Sequence, residues 1–191
     1  MAKILFYDLE TTGVMYWKNG IHQISGIIDI DGEIKETFNF KMQPNPNSVI
    51  DDKALAIAGI TREDLESYGI GMNQGYKKFS DILAKYVDKF NKEDKFFLCG
   101  YRNTGFDDPF ANAWFKQCGD EYFFSWFWGN SLDVSVIASD KFKDERSKMK
   151  DFKLSTIAEK LGIVVDPSKL HDALYDVELT RESYYRLCQI K

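Results

Sequence analysis

Residues 3–41 read KILFYDLETTGVMYWKNGIHQISGIIDIDGEIKETFNFK, and this stretch decides the fold. Its first segment, KILFYDL (3–9), is a short apolar run of the kind a buried strand needs. HQISGIIDI follows, then Asp31-Gly32, then EIKETFNFKM. Asp-Gly between two strand-like runs marks a hairpin, because both turn positions want positive φ. Three N-terminal strands are therefore expected to pair as an antiparallel meander.

Beyond this stretch the period changes. Pro44 and Pro46 break the third strand, and DDKALAIAG reads as a short helix stopped at Gly59. Thr61 has the chemistry of an N-cap for REDLES. Tyr76, Phe79, Ile82, Leu83, Tyr86, Val87 and Phe90 recur at steps of three and four, one face of an amphipathic helix. FFLCGY (96–101) reads as a buried strand, and DPFANAWFKQC as a helix stopped at Gly119. The aromatic run YFFSWFW (122–128) is expected to be a buried strand; a stacking wedge for bases and an oligomer contact are the alternatives. LSTIAEKL forms a helix ending at Gly162, and a last helix runs from about Asp172 to Leu187. Strands followed by alternating helices and strands give an α/β fold: a mixed central sheet, antiparallel then parallel, flanked by helices. With no repeat or linker, residues 1–191 are expected to be one domain.

Composition narrows the function. The chain is 44% hydrophobic with a net charge of −5, so it lacks the bulk positive charge of a non-specific nucleic-acid binder. Attraction to a phosphate backbone must be local. One candidate is residues 140–153, where six basic residues (Lys141, Lys143, Arg146, Lys148, Lys150, Lys153) face four acidic ones; a solvated loop explains the same composition. Cys99, Cys118 and Cys188 stand far apart and form no CxxC pair, which argues against a disulfide framework and fits a cytoplasmic protein. No run approaches the roughly 20 apolar residues of a membrane span, and no signal peptide is expected.

The acidic residues carry the chemistry. Asp8 and Glu10 are two apart on a strand, so their side chains share one face. Like charges held so close are costly unless a cation lies between them, and hard oxygen ligands favour Mg²⁺ or Mn²⁺. A solvated strand end is the bland reading. Asp107 follows the FFLCGY strand at a helix start, with Asp108 beside it as an ordinary N-terminal acid. In HDALYDVELT, Asp172 is a plausible N-cap and Asp176 lies one turn on. His171 must then sit on the approaching loop to face the same site. His22, the second of two histidines, falls in a strand and reads as structural. Taken singly, none of these residues excludes a structural role.

Together they resemble a known family. FYDLETTG, NTGFD and HDALYD occur in this order, about 90 and 60 residues apart. They look like the three motifs of the DEDD superfamily of 3′–5′ exonucleases, in its histidine-type branch. That branch holds the proofreading subunit of bacterial replicative polymerase, RNase T and the three-prime repair exonucleases. QISGIIDI, AIAGITREDL, LDVSVIAS and LSTIAEKLGI also resemble family segments, although Ala58 stands where many members carry histidine. The resemblance implies an RNase H-like fold and a two-metal-ion mechanism that releases nucleoside 5′-monophosphates from DNA or RNA. It implies Asp8, Glu10, Asp107 and Asp176 as metal ligands, His171 as general base, and Leu9, Thr11 and Thr12 as substrate contacts; Phe106 is a further candidate to pack against a base, with anchoring the helix in the core as the favoured alternative. The implied partner is a nucleic acid with a free 3′ end, single-stranded by preference, with a polymerase or repair protein as a possible companion; no membrane is expected, and oligomeric state stays open. Two other readings compete: a catalytically silent nucleic-acid or polymerase-binding module on the same fold, and another metal-dependent phosphodiesterase or transferase.

Overall fold

The computed structural model describes residues 1–170 and 172–190. Five strands form one sheet in the order β3-β2-β1-β4-β5. They are β1 (Lys3–Thr11), β2 (Ile21–Ile30), β3 (Glu33–Lys41), β4 (Phe97–Gly100) and β5 (Leu132–Asp133). The first three pair antiparallel, and β4 and β5 add in parallel beside β1. Asp31 and Gly32 take φ of 53° and 86°, as an Asp-Gly hairpin turn requires.

Alternation along β1 splits the interior into two layers. Leu5, Tyr7 and Leu9 face one core with Ile24, Ile28 and Phe38. Helices α3 (Met72–Ala84) and α4 (Asp107–Gln117) cover it, with Phe79 stacked on Trp114 at 5.7 Å and 19°. Ile4 and Phe6 face the opposite core with Ile27, Val134, Ile157, Val177 and Leu187. There α6 (Val134–Lys141), α7 (Leu154–Lys160) and α8 (Ala173–Gln189) close the second layer. Short helices α1 (Asp52–Ile57) and α2 (Arg62–Ser67) precede α3, and Thr61 caps α2 in a reciprocal box with Asp64. Gly119 and Gly162 end α4 and α7 at φ of 82° and 75°.

Two expectations are corrected. The aromatic run is not a strand: Phe123–Trp126 forms a single helical turn, α5, and only Phe127 makes a β-bridge, to Phe96. Its buried residues Phe123 and Trp126 are three apart, a helical rather than a strand spacing. The fifth strand lies later, at Leu132–Asp133. The amphipathic helix is also shorter than its apolar stripe. It ends at Ala84; Val87 still buries, but an Asp88 turn accepting from the Phe90 amide (3.0 Å) leaves Phe90 86% exposed.

Helix α8 is fastened to the sheet by charge as well as packing. Asp29 of β2 is fully buried and accepts from Arg181 Nε (2.8 Å), Tyr185 Oη (2.9 Å) and the Gly32 amide (2.8 Å). A buried carboxylate is tolerable only when paired and bonded in this way. Among the described residues, no helix is long and apolar enough to cross a membrane.

Candidate active site

The C-terminal end of β1 carries Asp8 and Glu10 on the α8 side of the sheet. They stand in register with Ser25 and Gln23 of β2. Helix α8, capped by Asp172 accepting from the Leu174 and Tyr175 amides, brings Asp176 over this strand end. Asp107 arrives from the other flank. After β4 the chain turns through Arg102, held at φ 64°, into a 3₁₀ turn (Asn103–Gly105) that places Asp107 at the start of α4. Its Oδ1 accepts from the Leu9 amide at 3.1 Å, which sets this carboxylate against β1 between Asp8 and Glu10.

The electrostatics report the crowding. Asp8 is held well above the usual carboxylate range by burial, then by Asp107, Glu10 and Asp176. Glu10 is pushed up to about 7 by burial, Asp176 and Asp172, against the opposing pull of Lys41. Asp107 rises to about 8, chiefly through burial. Among the described residues, no three His, Cys, Asp or Glu side chains are already closed into a metal cage. The four carboxylates nonetheless form one mutually repelling set of hard oxygen donors, and that chemistry fits a divalent cation.

The remaining predicted residues fall as follows. His171 lies outside the described residues. Leu9 is buried in the core. Thr11 and Thr12 are buried too, and their hydroxyls donate to the Gly13 (2.7 Å) and Val49 (2.9 Å) carbonyls, bracing the turn after β1. Phe106 packs on Phe110 at 5.1 Å and joins the core beneath α4. His22 is buried with neither ring nitrogen bonded, and burial together with Lys41 lowers it to about 4, so it is a neutral core residue. In the basic segment, Lys143 pairs with Asp140 at 2.8 Å and Lys150 with Glu159 at 3.6 Å, while Lys160 of α7 takes Glu145 at 2.8 Å. Arg146 lies over Phe152. These pairs leave the segment's net charge unchanged, since the cation given to Glu159 is balanced by the one Glu145 takes from Lys160.

Two acids hold the frame and were not singled out by the motifs. Asp108, expected as a plain N-terminal acid, accepts from Tyr7 Oη (2.5 Å), Asn103 Nδ2 (3.0 Å) and Ser131 Oγ (2.6 Å), and so joins β1 to the turn before α4. Asp133 accepts from the Arg102 amide (3.0 Å), Thr104 Oγ1 (2.7 Å) and the Ser135 amide (2.9 Å), and so fixes the left-handed turn. Placement of Asp133 directly before a helix is the sequence signal for such a cap.

Residues 5–184 match the family model described as Exonuclease, nearly the whole chain. The chain belongs to the exonuclease family. Within that family, it is 28% identical over 170 residues to the PolC-type DNA polymerase III of Mycoplasmopsis pulmonis (strain UAB CTIP). The match spans 89% of this chain and 10% of that polymerase. Among solved structures, the exonuclease fold superposes on E. coli exonuclease I in complex with a dT13 oligonucleotide, with a TM-score of 0.79 and 23% identity. That match covers all of this chain (100%) and 42% of exonuclease I. The zinc-bound form of the same enzyme with single-stranded DNA gives a TM-score of 0.76 at 22% identity, covering 99% of this chain and 40% of that one. The chain thus corresponds to a part of each of these relatives, and the mixed five-stranded, helix-flanked sheet is their RNase H-like fold.

Proposed function

We propose that residues 1–191 act as one exonuclease domain that hydrolyses the terminal phosphodiester bond at a 3′ end of DNA or RNA and releases nucleoside 5′-monophosphates. The gathering of Asp8, Glu10, Asp107 and Asp176 at one end of the sheet carries this reading. Asp8, Glu10 and Asp176 would hold one divalent ion, Mg²⁺ or Mn²⁺, and Asp8 with Asp107 a second. When bound, such ions polarise the phosphoryl group and supply a more acidic water. His171 accepts the proton of the attacking water at a ring nitrogen, the role expected in the histidine-type branch; an imidazole's ordinary pKa near 6.5 suits this at neutral pH. The Leu9–Asp107 hydrogen bond and the Asp29–Arg181 pair keep the acids from drifting apart under their own repulsion. Leu9, Thr11, Thr12 and Phe106 shape the wall beside the terminal nucleotide. Because the Thr11 and Thr12 hydroxyls are committed to the turn, their contribution is a fixed contour rather than a donated hydrogen bond.

The oligonucleotide complexes of exonuclease I support a single strand as substrate, and the likeness to a PolC-type polymerase supports a role near replication or repair. The test incubates the protein with 5′-labelled single-stranded DNA and RNA in magnesium, manganese or EDTA, beside Glu10→Ala. A metal-dependent ladder shortening from the 3′ end, absent in the variant, is expected. Binding of either strand with no shortening in any metal would replace this reading with the silent binding module.

A further inference from the structure

A cleft of about 580 Å³ lies on the outer side of α4, away from the four acids' own side chains. Its floor is Leu98, Ala113 and Phe123. Besides Phe123, three aromatic rings line it: Tyr16 (42% exposed), Phe124 (53% exposed) and half-buried Trp128. The two exposed members of the 122–128 run that the core does not absorb are Tyr122 and Phe124, and the second stands in this cleft. Exposed rings around an apolar floor are costly to leave to water.

The polar lining is available. Asn112, Lys116 and Asn130 make no side-chain hydrogen bond or ion pair among the described residues. Asp108 also lines the cleft, but its lone pairs are committed to Tyr7, Asn103 and Ser131. Asp108, Asn112 and Lys116 are four residues apart in turn, so they form one stripe along α4 about 12 Å long. At about 3.4 Å per stacked base, that length holds more than one base. None of the four acids lines the cleft, but Asp108 at one end of it also holds Tyr7, the neighbour of Asp8 on β1. Asp108 follows Asp107 in sequence, and Tyr16 comes three residues after Gly13 in the turn that follows β1.

We propose that this cleft binds unpaired bases of the same nucleic-acid strand whose 3′ end lies at Asp8, Glu10, Asp107 and Asp176, an inference that rests on the exonuclease reading. Phe124 offers a ring face, which a base can stack on only when it is not already stacked and paired in a duplex; Trp128, packed on Phe97 with Lys95 over its ring, bounds the cleft beside it. Asn112 and Asn130 present amide donors and acceptors to exposed base edges. Lys116 meets the backbone phosphate. The site thus favours a single strand over a duplex and grips it on the 5′ side of the cleaved bond, with little sequence preference.

The test uses the full chain with exposed-residue variants Phe124→Ala and Lys116→Ala, whose melting midpoints are recorded beside the wild type. Binding of 5′-fluorescein-labelled (dT)8 is measured by anisotropy in EDTA. Hydrolysis of (dT)8 and of the p-nitrophenyl ester of thymidine 5′-monophosphate, which carries no upstream base, is measured in magnesium. Phe124→Ala is expected to weaken (dT)8 binding about 5- to 150-fold, the range for one base–aromatic stack. Lys116→Ala is expected to lower the salt slope of binding by about one. Both variants should lose at least fivefold more on (dT)8 than on the ester. Wild-type affinity for (dT)8 in both variants, equal losses on the two substrates, or no binding of (dT)8 by the intact protein would each overturn the proposal. Hydrolysis of neither substrate, with the binding losses intact, would sink the exonuclease reading and leave the cleft standing.

Discussion

Removing divalent cations and raising the pH should loosen this protein in a defined direction. Glu10 rises from 4.5 to about 7 on folding, Asp107 reaches about 8, and Asp8 is raised with them. In the metal-free state the folded chain therefore keeps protons that the unfolded chain has released by about pH 5. Stability from this source is complete below the unfolded carboxylate values and is lost as pH rises through 7 to 8. For Glu10 alone the loss is about 3 kcal/mol as an upper bound, since its side chain is half-buried and partly screened. For a chain of 191 residues that corresponds to a fall in melting midpoint of roughly 6–12 °C between pH 5 and pH 8.5. Magnesium at a hundred times its dissociation constant restores about 2.7 kcal/mol by binding the folded state alone. Differential scanning fluorimetry in EDTA and in magnesium, at pH 5, 7 and 8.5, reads both effects, and Glu10→Gln should flatten the metal-free profile. A metal-free midpoint that stays level or climbs with pH, with Glu10→Gln tracking the wild type, would refute the claim that these carboxylates repel one another.

Other perturbations have separate signatures. Asp107→Asn keeps shape but removes charge, and should cut turnover at least a hundredfold while the far-UV spectrum stays native. His171→Ala should leave residual activity about 10²–10⁴-fold below wild type, seen as a slow ladder on a labelled strand. Arg181→Met strips the cation from fully buried Asp29 and should cost about 3–5 kcal/mol in urea unfolding, with α8 protecting its amides least in hydrogen exchange. Gly26→Ala would place a Cβ 2.4 Å from the Phe38 ring and should destabilise by about 1–3 kcal/mol without changing the metal requirement.

Much of this architecture could be read before any coordinates. The Asp31-Gly32 turn has one cheap solution, and the alternation through β1 assigns Asp8 and Glu10 to one face with no further information. Thr61 and Asp172 cap helices because their side chains satisfy amides that nothing else nearby can reach. What escaped were features set by long-range packing. Phe123 and Trp126 bury at a helical spacing only because α4 and β4 leave a slot there, and aromatic composition alone cannot choose between strand and turn. Phe90 matched a helical stripe that ended one turn earlier. The acid pairs at the site were legible as motifs, but the brace at Asp108 gathers donors from residues 7, 103 and 131, and two of these three lie more than twenty residues away.

The fastening of α8 has a consequence for how the protein comes into being. Three of the four acids reside in the first 107 residues, while Asp176 arrives on the last helix and docks through Asp29 to Arg181 and Tyr185. Chains emerge N-terminus first and their parts fold as they become available. A partly synthesised copy would carry the sheet and three carboxylates yet lack the helix that completes the set. The acidic set is therefore assembled late, when α8 docks through Asp29 onto the finished β1–β3 meander.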